Sequence, residues 1–337
     1  MLHLPEIQNN DYFIRLEHLS KVFTVNSSKG LKNAKLTAVN DVSFDIRRGE
    51  TFGLVGESGC GKSTLSKIAL RLIEASSGAV FYQGRDIYQQ SYRELMDIRR
   101  DMQVVFQDPY DSLNPRMTLE SLVEEPLRIH GYGDRSQRHG RIVELFDGVG
   151  LPRALLTRYP HQLSGGQRQR LCIARSLALS PKFVVCDEAV SALDVSIQAQ
   201  ILNLLLDLKD QFGLTYLFIS HNLSVVKFVS DRIGVMYFGR LVELADKETL
   251  FQQVLHPYTH ALLSAVPSPN PGGNKRRVLL QGGVPSLLHP PSGCIFHERC
   301  PYGTERCRKE APPLIEIGQD HQVACHFAGQ LELKLDE

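Results

Sequence analysis

Apolar residues recur along this chain with two different periods. Continuous apolar runs at Thr51–Val55, Phe183–Cys186 and Thr215–Ser220 predict buried strands, because a strand covered on both faces needs no polar positions. Val195–Phe212 has helical spacing instead, and its predicted core face consists of Ile197, Ile201, Leu204, Leu205, Leu208 and Phe212. The other apolar patterns predict strands at Ala79–Tyr82 and Met102–Phe106, a hairpin of Arg232–Phe238 with Leu241–Leu244, and helices at Thr64–Ile73, Thr118–Ile129, Arg138–Val149 and Lys247–Gln253. This alternation predicts an α/β fold.

Composition and charge narrow the class of protein. The 337 residues suffice for one large α/β domain with an extension, or for two domains, and 42% of them are hydrophobic. A net charge of +1 argues against a general nucleic-acid binder, which needs a clustered basic excess. No apolar run approaches the roughly 18 residues of a membrane-spanning helix, and Met1–Asn10 has no signal-peptide pattern. We therefore expect a cytosolic chain whose seven cysteines are thiols or metal ligands.

The segment after the first buried strand fits the pattern Gly-x-x-x-x-Gly-Lys-Ser. It consists of Gly56, Glu57, Ser58, Gly59, Cys60, Gly61, Lys62, Ser63 and Thr64. A strand before it and a helix after it provide the context that a P-loop requires. Its backbone N–H groups would converge on the β-phosphate, while Lys62 reaches the β- and γ-phosphates and Ser63 ligates Mg²⁺. The motif predicts nucleotide binding, but it does not separate kinases, GTPases and transport ATPases.

A second helix end suited to phosphate is predicted further along the chain. Leu163, Ser164, Gly165, Gly166 and Gln167 open a helix predicted to continue to Leu179, and the bare N–H groups of such an end suit an anion. Two such ends in one chain suggest that nucleotide is held between two copies of the fold. The pair of motifs resembles the ATP-binding cassette (ABC) family, whose signature is LSGGQ. That resemblance implies a P-loop NTPase cassette with a RecA-like core, an antiparallel β subdomain and a helical signature subdomain.

The same resemblance implies roles for residues outside the two motifs. Asp187 would hold Mg²⁺ together with Ser63 and Gln107, which also relays to a membrane partner. Glu188 would be the general base that polarises the attacking water. His221 would be the switch histidine at the γ-phosphate. The D-loop that crosses to the other subunit would consist of Ser191, Ala192, Leu193 and Asp194.

Three further positions are less characteristic of the family. Phe23 lies where the family usually has an aromatic residue that stacks on adenine, although a single Phe is more often part of a core. Ala189 follows the catalytic glutamate in place of the usual proline, which removes no functional group. Asn222 replaces the usual aspartate after the switch histidine, and a helix N-cap accepts either residue. Neither replacement argues against hydrolysis.

The sequence divides into two predicted domains. Residues 11–255 form the nucleotide-binding domain, in which Asn26–Lys35 is a predicted hairpin tip. Residues 256–337 form a small extension rich in Pro and Cys, which begins with a helix through Val266 and continues in a linker at Pro267–Gly273. The His-Pro-Tyr-Thr at its start and the Tyr-Pro-His-Gln before the signature resemble the ATPases of oligopeptide and dipeptide importers.

Four cysteines of the extension, Cys294, Cys300, Cys307 and Cys325, have the spacing C-x5-C-x6-C-x17-C. Four thiolates suit a tetrahedral Zn²⁺ or an iron–sulfur cluster, and the lack of a closely spaced pair favours the cluster. In the peptide-importer subfamily, matching extensions bind a [4Fe–4S] cluster, which the resemblance carries to these four positions. Zinc and free thiols are the alternatives. Other candidate ligands are three nearby histidines, His297, His321 and His326.

These motifs together predict the ATP-hydrolysing subunit of an ABC importer for di- or oligopeptides or related small solutes. ATP would close a dimer in which Ser164 of one subunit caps the γ-phosphate held by Lys62 of the other. The resemblance implies three kinds of partner at the cytoplasmic face of the inner membrane: a paralogous ATPase, two transmembrane permease subunits and an extracytoplasmic substrate-binding protein. The alternatives are a soluble ABC ATPase in translation or DNA maintenance and an iron–sulfur redox protein. We expect the extension to be a structural staple, packed separately from the P-loop.

Overall fold

The computed structural model describes residues 12–25, 33–266, 278, 280, 282, 283, 288, 290–318 and 320–333. The described strands are β1 (Ile14–Val25), β2 (Ala34–Ile46), β3 (Thr51–Val55), β4 (Ser77–Tyr82), β5 (Arg85–Asp86), β6 (Met102–Val105), β7 (Phe183–Asp187), β8 (Thr215–Ser220), β9 (Arg232–Tyr237), β10 (Arg240–Asp246), β11 (Ile315–Glu316) and β12 (Gln322–Val323). The described α-helices are α1 (Lys62–Ala69), α2 (Tyr92–Asp101), α3 (Leu119–Ile129), α4 (Arg135–Gly148), α5 (Gly165–Ser176), α6 (Val195–Phe212), α7 (Leu223–Val229), α8 (Lys247–Gln252), α9 (Pro257–Ser264) and α10 (Glu305–Lys309).

The chain divides into two compact units. The described part of the first unit comprises residues 12–15, 45–50 and 80–219. The described part of the second unit comprises 16–25, 33–44, 51–79 and the described residues between 220 and 333. A four-stranded sheet has the order β2-β1-β4-β5, in which β4 and β5 are antiparallel.

A parallel sheet in the order β6-β7-β8 forms the centre of the first unit. All five residues of β7 are buried, which explains the unbroken apolar run that precedes Asp187. Helices α3, α4 and α5 pack against one another in the same unit. Because β6 and β7 are parallel, the segments that follow them, which carry Gln107 and Glu188, leave the sheet at the same edge.

The second unit contains the strand that leads into the P-loop. β3 is parallel to β9, β9 and β10 form an antiparallel hairpin, and β12 and β11 continue the sheet beyond β10. The pairing of Glu243 with Val323 and of Leu244 with Gln322 therefore joins the C-terminal extension to the hairpin by backbone hydrogen bonds. The expectation that the extension packs separately from the P-loop is wrong. Its strands β11 and β12 belong to the same sheet as β3, the strand that leads into the P-loop.

The predicted bounds of β3, α6 and β8 are confirmed. Other helices differ from their predictions, since α4 begins earlier and α1 and α5 end earlier than expected. α1 ends at Ala69, earlier than predicted, because Arg71 adopts a left-handed backbone with φ of +48°, and Leu72 is consequently exposed. In α6 the buried face includes Leu202, whereas Phe212 at the helix end is exposed. The apolar stripe is thus rotated slightly from the predicted one.

Several predicted features lie outside the described residues. These are the N-terminal stretch Met1–Asn10, most of the hairpin tip at Asn26–Lys35 and the linker at Pro267–Gly273. Within the part of the chain that the structure describes, no helix combines the length and apolar character needed to cross a bilayer.

Candidate functional site

The P-loop runs from the end of β3 into the first turn of α1. Gly61 is the N-cap of α1 with φ of +105°, and a Cβ there would collide with the carbonyl oxygen of Ala38. Only glycine therefore fits this position, and it offers no side chain to cap the helix N–H groups. The Lys62 ammonium is buried and donates hydrogen bonds to the carbonyl oxygens of Gly56 (2.7 Å) and Glu57 (3.0 Å). These bonds hold the lysine against its own loop.

Glu57, inside the P-loop, makes three kinds of contact. Its N–H donates to the Tyr258 hydroxyl at 2.9 Å, and its carbonyl accepts from Lys62. Its carboxylate accepts two hydrogen bonds from Arg299, from Nη1 to Oε2 at 2.7 Å and from Nη2 to Oε1 at 3.0 Å. Two of these partners belong to the C-terminal extension. Neither Tyr258 nor Arg299 has a role predicted from the sequence, although Tyr258 lies in the His-Pro-Tyr-Thr stretch and Arg299 lies between two of the four cysteines.

Gln107, a predicted Mg²⁺ ligand, and Glu188, the predicted general base, are in direct contact. Nε2 of Gln107 donates to Oε2 of Glu188 at 2.9 Å. Glu188 has a left-handed backbone with φ of +51°, which is unfavourable for a residue with a side chain. Its N–H donates to the Ile219 carbonyl at 3.0 Å, and its own carbonyl accepts from the N–H and the hydroxyl of Ser191. Buried Ala189 follows it, and these bonds fix the glutamate without the usual proline.

Ser164 of the signature is the N-cap of α5. Its hydroxyl accepts from the Gln167 N–H at 3.3 Å, and the Gln167 side chain accepts from the Ser164 N–H at 3.0 Å, which forms a capping box. Leu163 is buried, whereas Ser164 and Gly165 are exposed. A Cβ at Gly166 would lie 2.6 Å from Cγ2 of Ile197, so the second glycine permits close packing of α5 on α6. The serine and first glycine are thus presented at the surface.

Two arginines of the signature helix attach it to the segment after Gln107. The Arg168 guanidinium is buried, lies 3.9 Å from the centre of the Tyr110 ring and donates to the Pro160 carbonyl. Arg175 donates to the Ser112 carbonyl at 2.6 Å. Neither arginine was predicted from the sequence to have a role, because charged positions on a helix usually face solvent. Their contacts join the segment after Gln107 and the signature helix in one packed structure.

The D-loop leads from Ser191 to Asp194, with Ala192 exposed and Leu193 half-buried. Asp194 is the N-cap of α6, where its carboxylate accepts from the Ile197 N–H at 2.9 Å and from the Ser196 hydroxyl at 2.7 Å. These hydrogen bonds, first the one from Ile197, lower the pKa of Asp194. The carboxylate therefore stays charged at the helix N-terminus.

The remaining predicted positions of the nucleotide site lie at a strand end and within a strand. His221 follows β8 and is exposed, and Asn222 after it is the N-cap of α7, where its side chain accepts from the Ser224 N–H at 3.0 Å. The prediction that Asn222 serves as a cap is confirmed. Phe23 is half-buried on β1, with the Lys21 ammonium 5.1 Å from its ring centre. Its stacking on adenine stays a prediction.

The four cysteines of the extension line one pocket. The pocket encloses about 330 Å³ of empty space, part of it open to solvent, and its lining consists of Cys294, Cys300, Cys307 and Cys325 together with His256, Pro257, Phe296, His297, Tyr302, His326, Phe327 and Leu331. Burial raises the pKa of both Cys294 and Cys300 to about 11, and burial also raises that of Cys325. Among the described residues, no group of three or more His, Cys, Asp or Glu side chains is arranged to hold a single metal ion.

The three histidines proposed as alternative ligands make hydrogen bonds to the protein. Nδ1 of His297 lies 2.7 Å from the Cys294 carbonyl, and Nε2 of His326 lies 3.0 Å from the Glu310 carbonyl. His321 is buried and its Nε2 lies 2.9 Å from the buried Glu243 carboxylate. His297 and His326 line the pocket, whereas His321 is part of the junction with β10. The other three cysteines are buried elsewhere, with burial raising the pKa of Cys172 and Cys186 to about 12.

Glu243 on β10 organises the start of the extension. Its carboxylate accepts from the N–H groups of Leu255 (2.7 Å) and His256 (3.1 Å) and contacts His321. His256 in turn caps α9, because its Nδ1 accepts from the Tyr258 N–H at 3.0 Å. This network fixes the helix that brings Tyr258 to Glu57.

Comparison with known proteins agrees with this geometry. The family described as "ABC transporter" matches residues 39–191, and the family described as "Oligopeptide/dipeptide transporter, C-terminal region" matches residues 242–307. The Bacillus subtilis oligopeptide transport ATP-binding protein AppF is 47% identical over 95% of this chain and 98% of its own length. The chain belongs to the ABC transporter ATP-binding proteins. A probable peptide ABC transporter ATP-binding protein of Sinorhizobium fredii, y4tS, is 48% identical over 94% of this chain and 90% of its own.

Solved ABC cassettes share the fold. A dimeric post-hydrolysis structure of the cassette MJ0796 with ADP and Pi superposes with a TM-score of 0.62, at 30% identity, over 69% of this chain and 98% of that one. The CbiO1 subunit from Clostridium perfringens superposes with a TM-score of 0.61, at 26% identity, over 72% of this chain and 91% of that one. The predicted α/β P-loop ABC fold is thereby confirmed, and the protein is an ABC-type ATPase.

Proposed function

We propose that this ABC protein hydrolyses ATP to drive import of di- or oligopeptides, or related small solutes, across the cytoplasmic membrane. The observation that carries the proposal is the C-terminal extension, which matches the oligopeptide/dipeptide transporter region and continues the sheet beside the P-loop. Relatives named as peptide transport ATP-binding proteins match nearly the full chain. The match of this extension to a transporter region favours import over the alternative of a soluble ABC ATPase in translation or DNA maintenance.

The roles of the site residues follow from their chemistry. The P-loop N–H groups and Lys62 would bind the β- and γ-phosphates. Ser63, Gln107 and Asp187 would hold Mg²⁺, which neutralises phosphate charge when bound. Glu188, fixed by its backbone and by Gln107, would take a proton from the attacking water. The exposed hydroxyl of Ser164 supports a role in a second subunit's site.

The partners belong to the same proposal. We assign a paralogous ATPase, two transmembrane permease subunits and an extracytoplasmic substrate-binding protein, with this chain at the cytoplasmic face of the inner membrane. The direct test is reconstitution of the complex in liposomes and measurement of labelled dipeptide uptake with ATP. Lys62→Ala should abolish both ATP binding and uptake, because the contact to the phosphates is lost. Uptake that is independent of ATP, or ATP binding by Lys62→Ala at wild-type affinity, would contradict the proposal.

We also propose that the cysteine pocket holds a [4Fe–4S] cluster. All four thiols line one pocket, which fits a Cys₄ ligand set. The lack of a closely spaced cysteine pair favours a larger cluster over zinc. The raised pKa values of Cys294 and Cys300 mean that binding must release thiol protons.

Iron and sulfide analysis of anaerobically purified protein tests this assignment. We expect about four irons and four sulfides per chain, with a broad absorbance band near roughly 400 nm. Replacing any one of the four cysteines by Ser should remove the band, whereas Cys172→Ser, which changes a core thiol, should retain it. One zinc per chain without iron would contradict the cluster.

A further inference from the structure

We propose that the C-terminal extension sets the conformation of the phosphate-binding loop, with Arg299 as a positioning residue that acts through Glu57. The inference rests on the proposed nucleotide site and adds a source of control to it. Arg299 is 242 residues from Glu57 in the sequence, yet the two side chains form a bidentate ion pair. The Arg299 side chain is only 8% exposed and that of Glu57 26% exposed, so the pair is largely shielded from water.

Because the Arg299–Glu57 pair is bidentate, its interaction is stronger and its geometry is more restricted than in a surface ion pair. Two parallel N–H to O bonds fix the plane of the carboxylate as well as its distance. Nη1 of Arg299 also lies 3.4 Å from the Tyr237 hydroxyl at the end of β9, which limits the orientations of the guanidinium. The loop carboxylate is therefore held from the extension in one defined position.

Glu57 passes this restraint to the phosphate-binding lysine. Its carbonyl oxygen accepts from the Lys62 ammonium, and its N–H is fixed by the Tyr258 hydroxyl. The side chain, N–H and carbonyl of one residue are thus bonded to Arg299, Tyr258 and Lys62. A shift of the Glu57 backbone must move the oxygen that holds Lys62.

The Arg299 pair also neutralises a negative charge in the loop. A carboxylate without its guanidinium would repel the β- and γ-phosphates that Lys62 binds. Loss of Arg299 therefore weakens ATP binding for two reasons, since the loop loses a restraint and gains an uncompensated charge.

The same turn of the extension carries the cysteine pocket. Arg299 precedes Cys300 in the chain, and its N–H donates to the carbonyl of Phe296, which lines the pocket. The buried Phe296 ring packs on Tyr237 and Tyr258, with ring centres 5.3 and 5.5 Å apart. Disturbing the pocket thus displaces the residues that hold the loop.

ATP affinity of the full-length chain, measured by calorimetry, tests the inference. Arg299→Gln should weaken ATP binding about 5- to 20-fold, in the lower part of the usual range for coupling between two sites, and Arg299→Lys should restore part of the affinity by restoring the charge. The matched control is Arg306→Gln, which breaks an exposed ion pair with Glu310 in the same extension and should leave ATP affinity unchanged. Thermal melting of each variant separates loss of folding from loss of positioning.

A double-mutant cycle decides whether Arg299 acts through Glu57. If it does, Arg299→Gln should have little effect on ATP affinity in a Glu57→Gln background, because no carboxylate remains to be held. An equal loss in both backgrounds, or an equal loss in Arg306→Gln, would overturn the inference. Wild-type affinity in Arg299→Gln, with binding abolished in Lys62→Ala, would also overturn it while leaving the proposed nucleotide site intact. Unchanged binding in both variants would overturn the nucleotide site itself.

A third variant tests the connection to the pocket. Cys300→Ser should weaken ATP binding in the wild-type background and add little in Arg299→Gln, with iron content measured on the same samples. Loss of iron with unchanged ATP affinity would contradict transmission from the pocket and leave the cluster assignment standing.

Discussion

Hydrogen bonds to both its backbone and its side chain fix the position of Glu188. Its left-handed backbone costs on the order of 1–3 kcal/mol, and the hydrogen bonds to Ile219 and Ser191 keep it in that conformation. Gln107 holds one carboxylate oxygen of Glu188 through a hydrogen bond. A general base that is already oriented has less reorganisation to undergo when water attacks the phosphate.

Glu188→Gln should lower ATP hydrolysis by about 10²- to 10⁴-fold, because an amide cannot accept the proton, while ATP affinity stays close to wild type. Phosphate release and calorimetric ATP binding measure the two quantities. Glu144→Gln, at an exposed glutamate that pairs with Arg141, is the matched control and should hydrolyse ATP normally. Near-normal phosphate release by Glu188→Gln would assign the base to another group.

His256 makes stability depend on pH in a defined direction. Burial lowers its pKa to about 3, against about 6.5 in an unfolded chain. Below pH 6.5 the unfolded chain therefore binds a proton at His256, whereas the native chain does not. The contribution of neutral His256 to the free energy of unfolding is complete above pH 6.5 and is lost as the pH falls toward 3. The charged or titratable groups bonded near it are Glu243 and His321.

His256→Asn should reduce this acid sensitivity, because the Asn side chain can still accept from the Tyr258 N–H but does not titrate. Urea unfolding at pH 7.5 and pH 5.5 should show the wild type losing about 1.4 kcal/mol more than the variant, because the unfolded chain gains nearly one proton over this interval and the native chain does not. His321 and Glu243 are present in both proteins and cancel in the comparison. Equal losses would mean that His256 is protonated in the native chain.

At the scale of elements, helix N-termini carry much of the site. α1 begins with a glycine, which has no side chain to cap the helix, whereas α5 and α6 are capped by the side chains of Ser164 and Asp194. The signature serine thus has a role within its own subunit, where its hydroxyl satisfies a backbone N–H. Its proposed role in a second subunit would be additional.

Ser164→Ala separates these two roles by comparison with Ser91→Ala. Both serines form capping boxes, with Gln167 and Glu94 respectively, so each substitution should lower the free energy of unfolding by about 1 kcal/mol. Only Ser164→Ala should lower ATP hydrolysis in the assembled transporter. Equal hydrolysis by the two variants would restrict Ser164 to its structural role.

Local patterns predicted the elements better than they predicted their contacts. β3, α6 and β8 have the expected bounds, because buried strands and an amphipathic helix leave a direct pattern in the sequence. α1 was predicted too long, since no pattern indicated the left-handed Arg71. The order of motifs along the chain also predicted the P-loop, the signature and the role of Glu188. The pairing of Arg299 with Glu57 could not be predicted, because two residues so far apart leave no local periodicity.

At the scale of the whole molecule, the isolated chain should be a weak ATPase. Ser164, the N-cap of the signature helix, is exposed at the surface of its own subunit. This exposure supports a role for Ser164 in the nucleotide site of a second subunit. ATP turnover should therefore rise when the paralogous ATPase and the permeases are added, and rise again with loaded substrate-binding protein. Phosphate release at each stage of assembly measures this. A chain that sediments as a monomer and turns over at the rate of the full complex would contradict it.

The long separation between Glu57 and Arg299 has a consequence for synthesis on the ribosome. The loop glutamate emerges 242 residues before its arginine, an interval of roughly 12 to 50 s at ordinary elongation rates. During that time the nascent chain already contains the loop and β3, but it lacks both the guanidinium and the strands that extend the sheet. A chain that terminates early would keep the motif without the restraint on Lys62. Completion of translation and acquisition of full nucleotide affinity would then coincide.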